Sequence, residues 1–303
     1  MKKLVAIIGP TGIGKSRLAL ELAKILGGEI ISADSRQVYR LMDIGTAKPN
    51  TLDRQDIPHH AIDVVFPDES FSLADFADIA NNEIELIHDR GRVPILEGGT
   101  GQYVWAIIEG WEIPRIKPDD SFRKDLEGRA LKDGGEVLYE ELAKINPQAA
   151  DRIDPRNVRR VIRALEITET GRESGEQKKQ VRYNSFIVGL TAPRKLLYKM
   201  IDDRVDVMIN EGLVNEVLGL SSMGYGPELS AMSGIGYRQI FYYLEDKTSL
   251  EEAIQSIKND SHRLVRMQYN WFSLQDERIK WFDITHPGYT KDIITEVKGF
   301  LNE

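Results

Sequence analysis

VAIIGPTGIGKS, Val5 to Ser16, is an apolar run that breaks into glycines and closes on a lysine and a serine. Gly9, Gly14, Lys15 and Ser16 fill the four defined places of G-x-x-x-x-G-K-[ST], the phosphate loop. In such a loop, glycines let successive backbone N–H groups point inward, and the N-terminus of the next helix adds positive potential. The spacing predicts that Gly9, Pro10, Thr11, Gly12, Ile13, Gly14, Lys15 and Ser16 cradle phosphate, with Lys15 on its oxygens and Ser16 a ligand for Mg²⁺. The setting makes the match specific. LVAII before the loop reads as a buried strand, and SRLALELAKIL after it carries a stripe of Leu18, Leu22, Ile25 and Leu26 that Gly27 and Gly28 end.

Outward from this loop, strand and helix alternate. EIISAD, ending on Asp34, gives a second strand and hence a βαβ unit with parallel pairing. FSLADFADIANNEIELIHDRG is a helix with Ser72 as N-cap and Gly91 as its stop, and it feeds a third strand, VPILEGGTG. The junctions at Gly9, Asp34 and Gly98 therefore share the carboxyl edge of one sheet, where open α/β folds bind ligands. Pro114 and Pro118 end the alternation. A helical region follows to about Gly171, then a polar segment from Arg172 to Asn184 expected to be mobile, and FIVGL and IKWFDI return to the sheet. The fold class is α/β: a P-loop NTPase-like parallel sheet core flanked by helices, formed by residues 1–113 and 185–303, with a helical insertion domain at 114–184.

Composition bounds the function. The 303 residues are 41% hydrophobic, contain no cysteine and carry a net charge of −8. That excludes disulfides and thiolate metal sites, suits a reducing cytoplasm, and argues mildly against nucleic acid unless positive charge is concentrated locally. It is concentrated in RNVRRVIRALE, where Arg156, Arg159, Arg160 and Arg163 form a helical stripe beside an apolar one, with no acid among the four. Lys178, Lys179 and Arg182 extend it. A polyanion partner or an ordinary solvated face would both account for this stripe. No run is long enough to span a bilayer.

At the sheet edge, Asp34 has three open roles: Mg²⁺ ligand, general base, or turn cap. Ser35, Arg36 and Gln37 offer hydrogen bonds to a second substrate, and Lys48 adds positive charge. Thr100 is a substrate ligand or the N-cap of the next helix, and Arg123 by itself reads as a surface arginine. DDRVD, Asp202 to Asp206, matches an acidic diphosphate motif of helical isoprenoid synthases but lacks its second copy, so the acids are set aside while Arg204 is kept as a diphosphate clamp. His59 and His60 have no companion ligands for zinc.

GPTGIGKS, ISADSRQVYRLMDIGTAKP, PHHAIDV, PILEGGTGQY, NVRRVIRALEI, GL…VNEV and SGIGYRQ together resemble the bacterial tRNA dimethylallyltransferases, or tRNA isopentenyltransferases, from about Leu4 to Trp281. The resemblance implies transfer of a dimethylallyl group from dimethylallyl diphosphate to the exocyclic amine of the adenosine 3′ of the tRNA anticodon. The phosphate loop would then hold a diphosphate leaving group with Mg²⁺ on Ser16, Asp34 would accept the amine proton, and Thr100 and Arg204 would serve the diphosphate. By the same resemblance, tRNA contacts fall on Asp34, Ser35, Arg36, Gln37, Thr100, Arg123, Arg159, Arg160 and Arg163. The implied partners are the anticodon stem-loop and dimethylallyl diphosphate, with no membrane and no obligate protein partner. Gln102 and Met267 depart from the family pattern, so no key role is expected on the helix that carries Met267. The rivals are an isopentenyltransferase of free adenine nucleotides, a small-molecule kinase, and a non-catalytic nucleotide-switch RNA-binding module.

Overall fold

In a computed structural model, which describes residues 1–113, 119–169 and 180–303, the chain divides into two compact units, Met1–Trp111 with Lys179–Glu303 and Glu112–Lys178. Pro114, Pro118 and the part of the expected mobile segment at residues 172–179, with Lys178 and Lys179, lie outside the described residues.

In chain order the larger unit begins with β1 (Lys2–Ile8), α1 (Lys15–Leu26), β2 (Gly28–Ser32), α2 (Thr51–Asp56), β3 (His59–His60), α3 (Leu73–Asp89), β4 (Val93–Gly98) and α4 (Gly101–Ile108). The smaller unit holds α5 (Asp120–Asp133), α6 (Gly135–Ile145), α7 (Pro147–Ala150) and α8 (Val158–Glu169). The larger unit resumes with β5 (Tyr183–Thr191), α9 (Arg194–Glu211), α10 (Leu213–Ser222), α11 (Tyr237–Leu244), α12 (Leu250–Trp271), β6 (Ile279–Asp283) and α13 (Tyr289–Asn302). β5 starts at Tyr183, paired with Lys2, slightly ahead of residue 185 where the sequence places the return to the core. The Gln180 N–H donates to the Gly110 carbonyl at 2.9 Å, so the chain leaves and re-enters the larger unit at one point.

Six parallel strands lie in the order β3-β2-β4-β1-β5-β6. The β1 residues Leu4 to Ile8 are fully buried, which is why that strand is continuously apolar rather than alternating. The chain leaves β1 toward β2 on one side and, after β4, toward β5 on the other, so the direction of winding switches beside β1. At that crevice ligands bind in open α/β sheets.

The α1 stripe differs from its sequence reading at one position. Leu18, Ala19, Leu22 and Ala23 are buried while Ile25 is 43% exposed, because small alanines let the helix lie close to the sheet and turn Ile25 outward. Ser72 caps α3 in a reciprocal capping box with Asp75. The two-residue β3 was not legible, since His59–His60 carries no alternating pattern. The larger unit contains one core around β1, α1, α9 and α13 and another joining Val38, Tyr39 and Met42 to α9–α12. The smaller unit has its own core of Leu126, Leu138, Leu142, Val161, Ile162 and Leu165. No helix among the described residues is long and apolar enough to cross a membrane.

Gly9 illustrates how tightly the loop after β1 is held. Its φ is 141°, and a Cβ there would lie 2.6 Å from the Leu190 carbonyl oxygen of β5. Backbone strain and overpacking together predict that Gly9→Ala lowers stability by about 2–4 kcal/mol. Chemical denaturation of the two proteins checks this, and a loss below about 1 kcal/mol would contradict it.

Candidate active site

The phosphate loop turns from β1 into α1 through left-handed glycines, Gly12 at φ 79° and Gly14 at φ 97°. α1 has no side-chain cap at Gly14 and no acid in its first turn, so its positive end is left for an anion. Lys15 curls back over the loop and donates to the Pro10 carbonyl at 3.0 Å, and Ser16 Oγ lies 3.3 Å from Glu97 Oε1 at the end of β4. Two distant helices complete the wall. Arg204 of α9 donates from a guanidinium nitrogen to Thr11 Oγ1 at 3.1 Å. From α12, Gln268 accepts the Thr11 N–H at 2.8 Å and donates to the Gly99 carbonyl at 3.1 Å.

The loops after β2 and β4 continue the sheet pairing past the strands. The Ala33 N–H donates to the Glu97 carbonyl at 2.6 Å and the Thr100 N–H to the Ala33 carbonyl at 3.2 Å. Thr100 occupies the N-cap position of α4, yet its hydroxyl makes no capping bond; it accepts the Ser35 N–H at 3.0 Å and so ties the two loops together. Asp34 Oδ1 accepts the Arg36 N–H at 2.8 Å, the geometry of an Asx turn. Asp34 thus caps a turn and also faces the phosphate loop electrostatically, since its charge acts on both Lys15 and Arg204.

Other expected contact residues are engaged within the chain. Arg36 donates to the carbonyls of Ser230 and Ala231 at 2.8 and 3.2 Å. Gln37 is buried, accepting from Ser32 Oγ and donating toward the carbonyls of Thr46 and Ala47. Lys48, expected to add positive charge, is neutralised by Asp43 and Asp63 at 2.8 and 2.6 Å, its side chain 2% exposed. These three shape the loop that carries Asp34 and Ser35. Two acids of DDRVD are likewise paired, Asp203 with Lys199 and Asp206 with Lys258, while Asp202 Oδ1 lies 2.9 Å from His262 Nε2 without hydrogen-bonding geometry. His60 pairs with Glu29 and Glu83, and among the described residues no group of three His, Asp or Glu side chains is arranged to hold a metal.

The site joins two buried groups, Lys15 and Glu97, to two half-buried ones, Arg204 and Asp34. Burial pushes the Lys15 ammonium below its ordinary pKa against the pull of Glu97, and burial lowers Arg204 against Asp34 and Glu97. Burial also pushes the Glu97 carboxyl up, opposed by Lys15. Partly desolvated cations of this kind favour a bound polyanion, whose charge restores to them what water supplied elsewhere.

Sequence reasoning missed Glu97 and Gln268. Glu97 was visible as an acid closing an apolar strand. Gln268 had no local signal, and the expectation that its helix carries no key role is corrected: exposed Met267 lies beside it, but Gln268 itself is buried against the phosphate loop.

In the smaller unit, the arginine stripe divides. Arg123 and Arg163 both bind the carboxylate of buried Glu166, the former through two bonds of 3.1 and 2.8 Å. Arg156 pairs with Asp154, and only Arg159 and Arg160 are exposed with no side-chain partner among the described residues. Burial would raise the Glu166 pKa, but hydrogen bonds from Arg123 and Arg163 outweigh it and hold the carboxyl below its usual range. A depressed carboxyl contributes stability above its unfolded pKa that is lost as pH falls through its folded one. The smaller unit is therefore expected to lose stability below about pH 4, and this acid sensitivity should be reduced in Glu166→Gln, with Asp119 and Asp154, also held low, supplying the rest, as followed by amide exchange of α8.

The model of the IPP transferase family matches residues 37–275. A tRNA dimethylallyltransferase of Thermomicrobium roseum is 47% identical over 100% of this chain and 92% of that protein. One from Roseiflexus castenholzii is 50% identical over 90% of each. Among solved structures, the full-length tRNA isopentenylpyrophosphate transferase of Bacillus halodurans superposes with a TM-score of 0.75 at 42% identity, covering 100% of this chain and 97% of that one. A eukaryotic dimethylallyltransferase acting on tRNA gives 0.82 at 28% identity, over 100% of this chain and 80% of its own. With a phosphate loop walled by Arg204 and Gln268 and likeness along its whole length, this chain belongs to the IPP transferase family.

Proposed function

We propose that this enzyme transfers a dimethylallyl group from dimethylallyl diphosphate to the exocyclic amine of the adenosine 3′-adjacent to a tRNA anticodon, in the cytoplasm. The observation that carries the reading is the pair of cations at one phosphate loop, buried Lys15 within it and half-buried Arg204 against it, with the half-buried carboxylate of Asp34 facing them. The names of the relatives support the substrates. An ATP-dependent kinase would use the same loop for ATP, and it gives no reason for exposed Arg159 and Arg160.

In the reaction, the bond between C1 of the prenyl group and its bridging diphosphate oxygen breaks, and a bond forms from the adenosine amine nitrogen to C1. The loop N–H groups, Lys15 and Arg204 stabilise the charge that collects on the departing diphosphate. The amine proton passes to Asp34, whose Oδ1 stays engaged with Arg36 while Oδ2 has no hydrogen-bond partner among the described residues. Ser16 Oγ and the Glu97 carboxylate are hard oxygen donors that fit Mg²⁺, an ion content with one or two protein ligands when phosphate oxygens supply others. When bound, it would neutralise further charge on the leaving group. Because the target base is stacked in the anticodon loop, it must leave that stack to react.

The direct test incubates the protein with Mg²⁺, labelled dimethylallyl diphosphate and either unmodified tRNA or free AMP. Label in tRNA alone supports the reading. Label in AMP moves the substrate to free nucleotide, and label in neither overturns prenyl transfer. For the RNA contact, Arg159→Ala with Arg160→Ala should weaken tRNA binding and reduce the salt slope of log Kd by roughly 1.5, about 0.7–0.9 per lost phosphate contact. An unchanged slope would remove the α8 surface from the tRNA interface.

A further inference from the structure

The loop from Tyr39 to Lys48 follows the Asp34 turn and has little regular structure of its own. Two of its non-glycine residues, Leu41 and Ala47, sit in the left-handed region at φ 68° and 48°. Such a conformation is strained for a residue with a side chain and persists only where the surroundings over-determine it.

Glu216 of α10 supplies that determination. Its Oε2 accepts the N–H groups of Asp43 and Ile44 at 2.9 and 2.7 Å, and its Oε1 accepts the Gly45 N–H at 3.2 Å and the Tyr237 hydroxyl at 2.6 Å. One carboxylate thus takes four donors, about all its lone pairs can serve. Gly45 lies so close to the Tyr237 ring that a Cβ would meet a ring carbon at 2.5 Å. Immediately beyond, the carbonyls of Thr46 and Ala47 receive Gln37 Nε2 at 3.3 and 3.4 Å. Gln37 belongs to the turn that holds Asp34 and Ser35, and Arg36 in the same turn is fixed to Ser230 and Ala231, just ahead of α11.

We propose that Glu216 is a positioning residue for the transfer reaction: by gripping the Asp43–Gly45 amides it fixes, through Gln37, the turn that presents Asp34 and Ser35 to the acceptor. The proposal rests on the dimethylallyl-transfer reading. It predicts an asymmetric defect, because the diphosphate is held by residues 9–16 and the acceptor by the positioned turn.

The experiment compares wild type, Glu216→Gln, Glu216→Asp and Tyr237→Phe. Glu216→Gln turns an acceptor oxygen into an NH₂ facing backbone donors. It should lower kcat tenfold or more and raise KM for tRNA at least fivefold, while the Kd for dimethylallyl diphosphate stays within twofold. Amides 43–45, and then Ser35 and Arg36, should exchange hydrogen at least tenfold faster. Tyr237→Phe removes one donor and keeps the carboxylate, so KM for tRNA should stay within threefold. Should the Gln variant fail to fold, Glu216→Asp, too short to reach all four donors, carries the same predictions at smaller size. Wild-type kinetics in the Glu216 variants, or a kcat loss that merely tracks the folded fraction with both affinities unchanged, would overturn the proposal. If the wild type transfers no label, the transfer reading fails; exchange at Ser35 and Arg36, which needs no turnover, then decides the positioning claim alone.

Discussion

Asp34→Asn is expected to lower kcat for dimethylallyl transfer by about 10²–10⁴, the range for losing a positioned general base, with tRNA affinity and thermal stability nearly unchanged. The geometry makes this substitution informative. Oδ1 of Asp34 accepts the Arg36 N–H, a bond that the Asn carbonyl oxygen keeps, so the turn and its link to Thr100 survive while the proton acceptor is lost. Asp34→Ala removes the turn bond as well and should add a rise in KM for tRNA that Asp34→Asn lacks. Single-turnover kinetics with saturating substrates measure the effect on chemistry. If Asp34→Asn retained more than a tenth of wild-type kcat, proton acceptance by this residue would be wrong, leaving it the turn-capping role that its Asx geometry already provides.

Lys15→Met should abolish most activity, by roughly 10²–10³ or more as for removal of a transition-state charge stabiliser, without a matching loss of stability. Lys15 is 9% exposed, and burial pushes its ammonium toward the neutral form even with Glu97 beside it. Removing one partner of a buried pair is costly where the other must keep its charge, and close to neutral where the remaining group can be neutralised. Glu97, whose carboxyl burial already pushes up, can take a proton once its cation is gone. The denaturation midpoint of Lys15→Met should accordingly be unchanged or higher, with affinity for dimethylallyl diphosphate strongly reduced. A midpoint lowered by more than about 4 °C, equivalent to more than about 1 kcal/mol for a chain of this size, would instead make Lys15 a structural residue. The same contrast separates Lys15 from Gly9, whose substitution by Ala should damage the fold itself.

What the sequence by itself determined was local and periodic. The apolar run of β1, the glycines that must adopt positive φ after it, the lysine and serine that open α1, and the capping box at Ser72 all follow from neighbours within a few residues. Those features also gave the parallel sheet and the edge at which Gly9, Asp34 and Gly98 meet, because strand and helix alternation leaves few topologies open. Tertiary structure decided which polar side chains are bonded within the frame. Arg36, Gln37 and Lys48 sit in a segment rich in candidate ligands, and Arg123 and Arg163 are tRNA contacts by resemblance; each is also bonded to carbonyls or carboxylates inside its own unit. Neither Gln268 nor Glu216 is given a role by the sequence, yet each accepts backbone N–H groups from far away along the chain. The physical reason is that a buried polar group must find a partner, and that partner is set by packing rather than by sequence distance. Spacing reveals that a charge or an amide is present; only the packed fold determines whether it remains available.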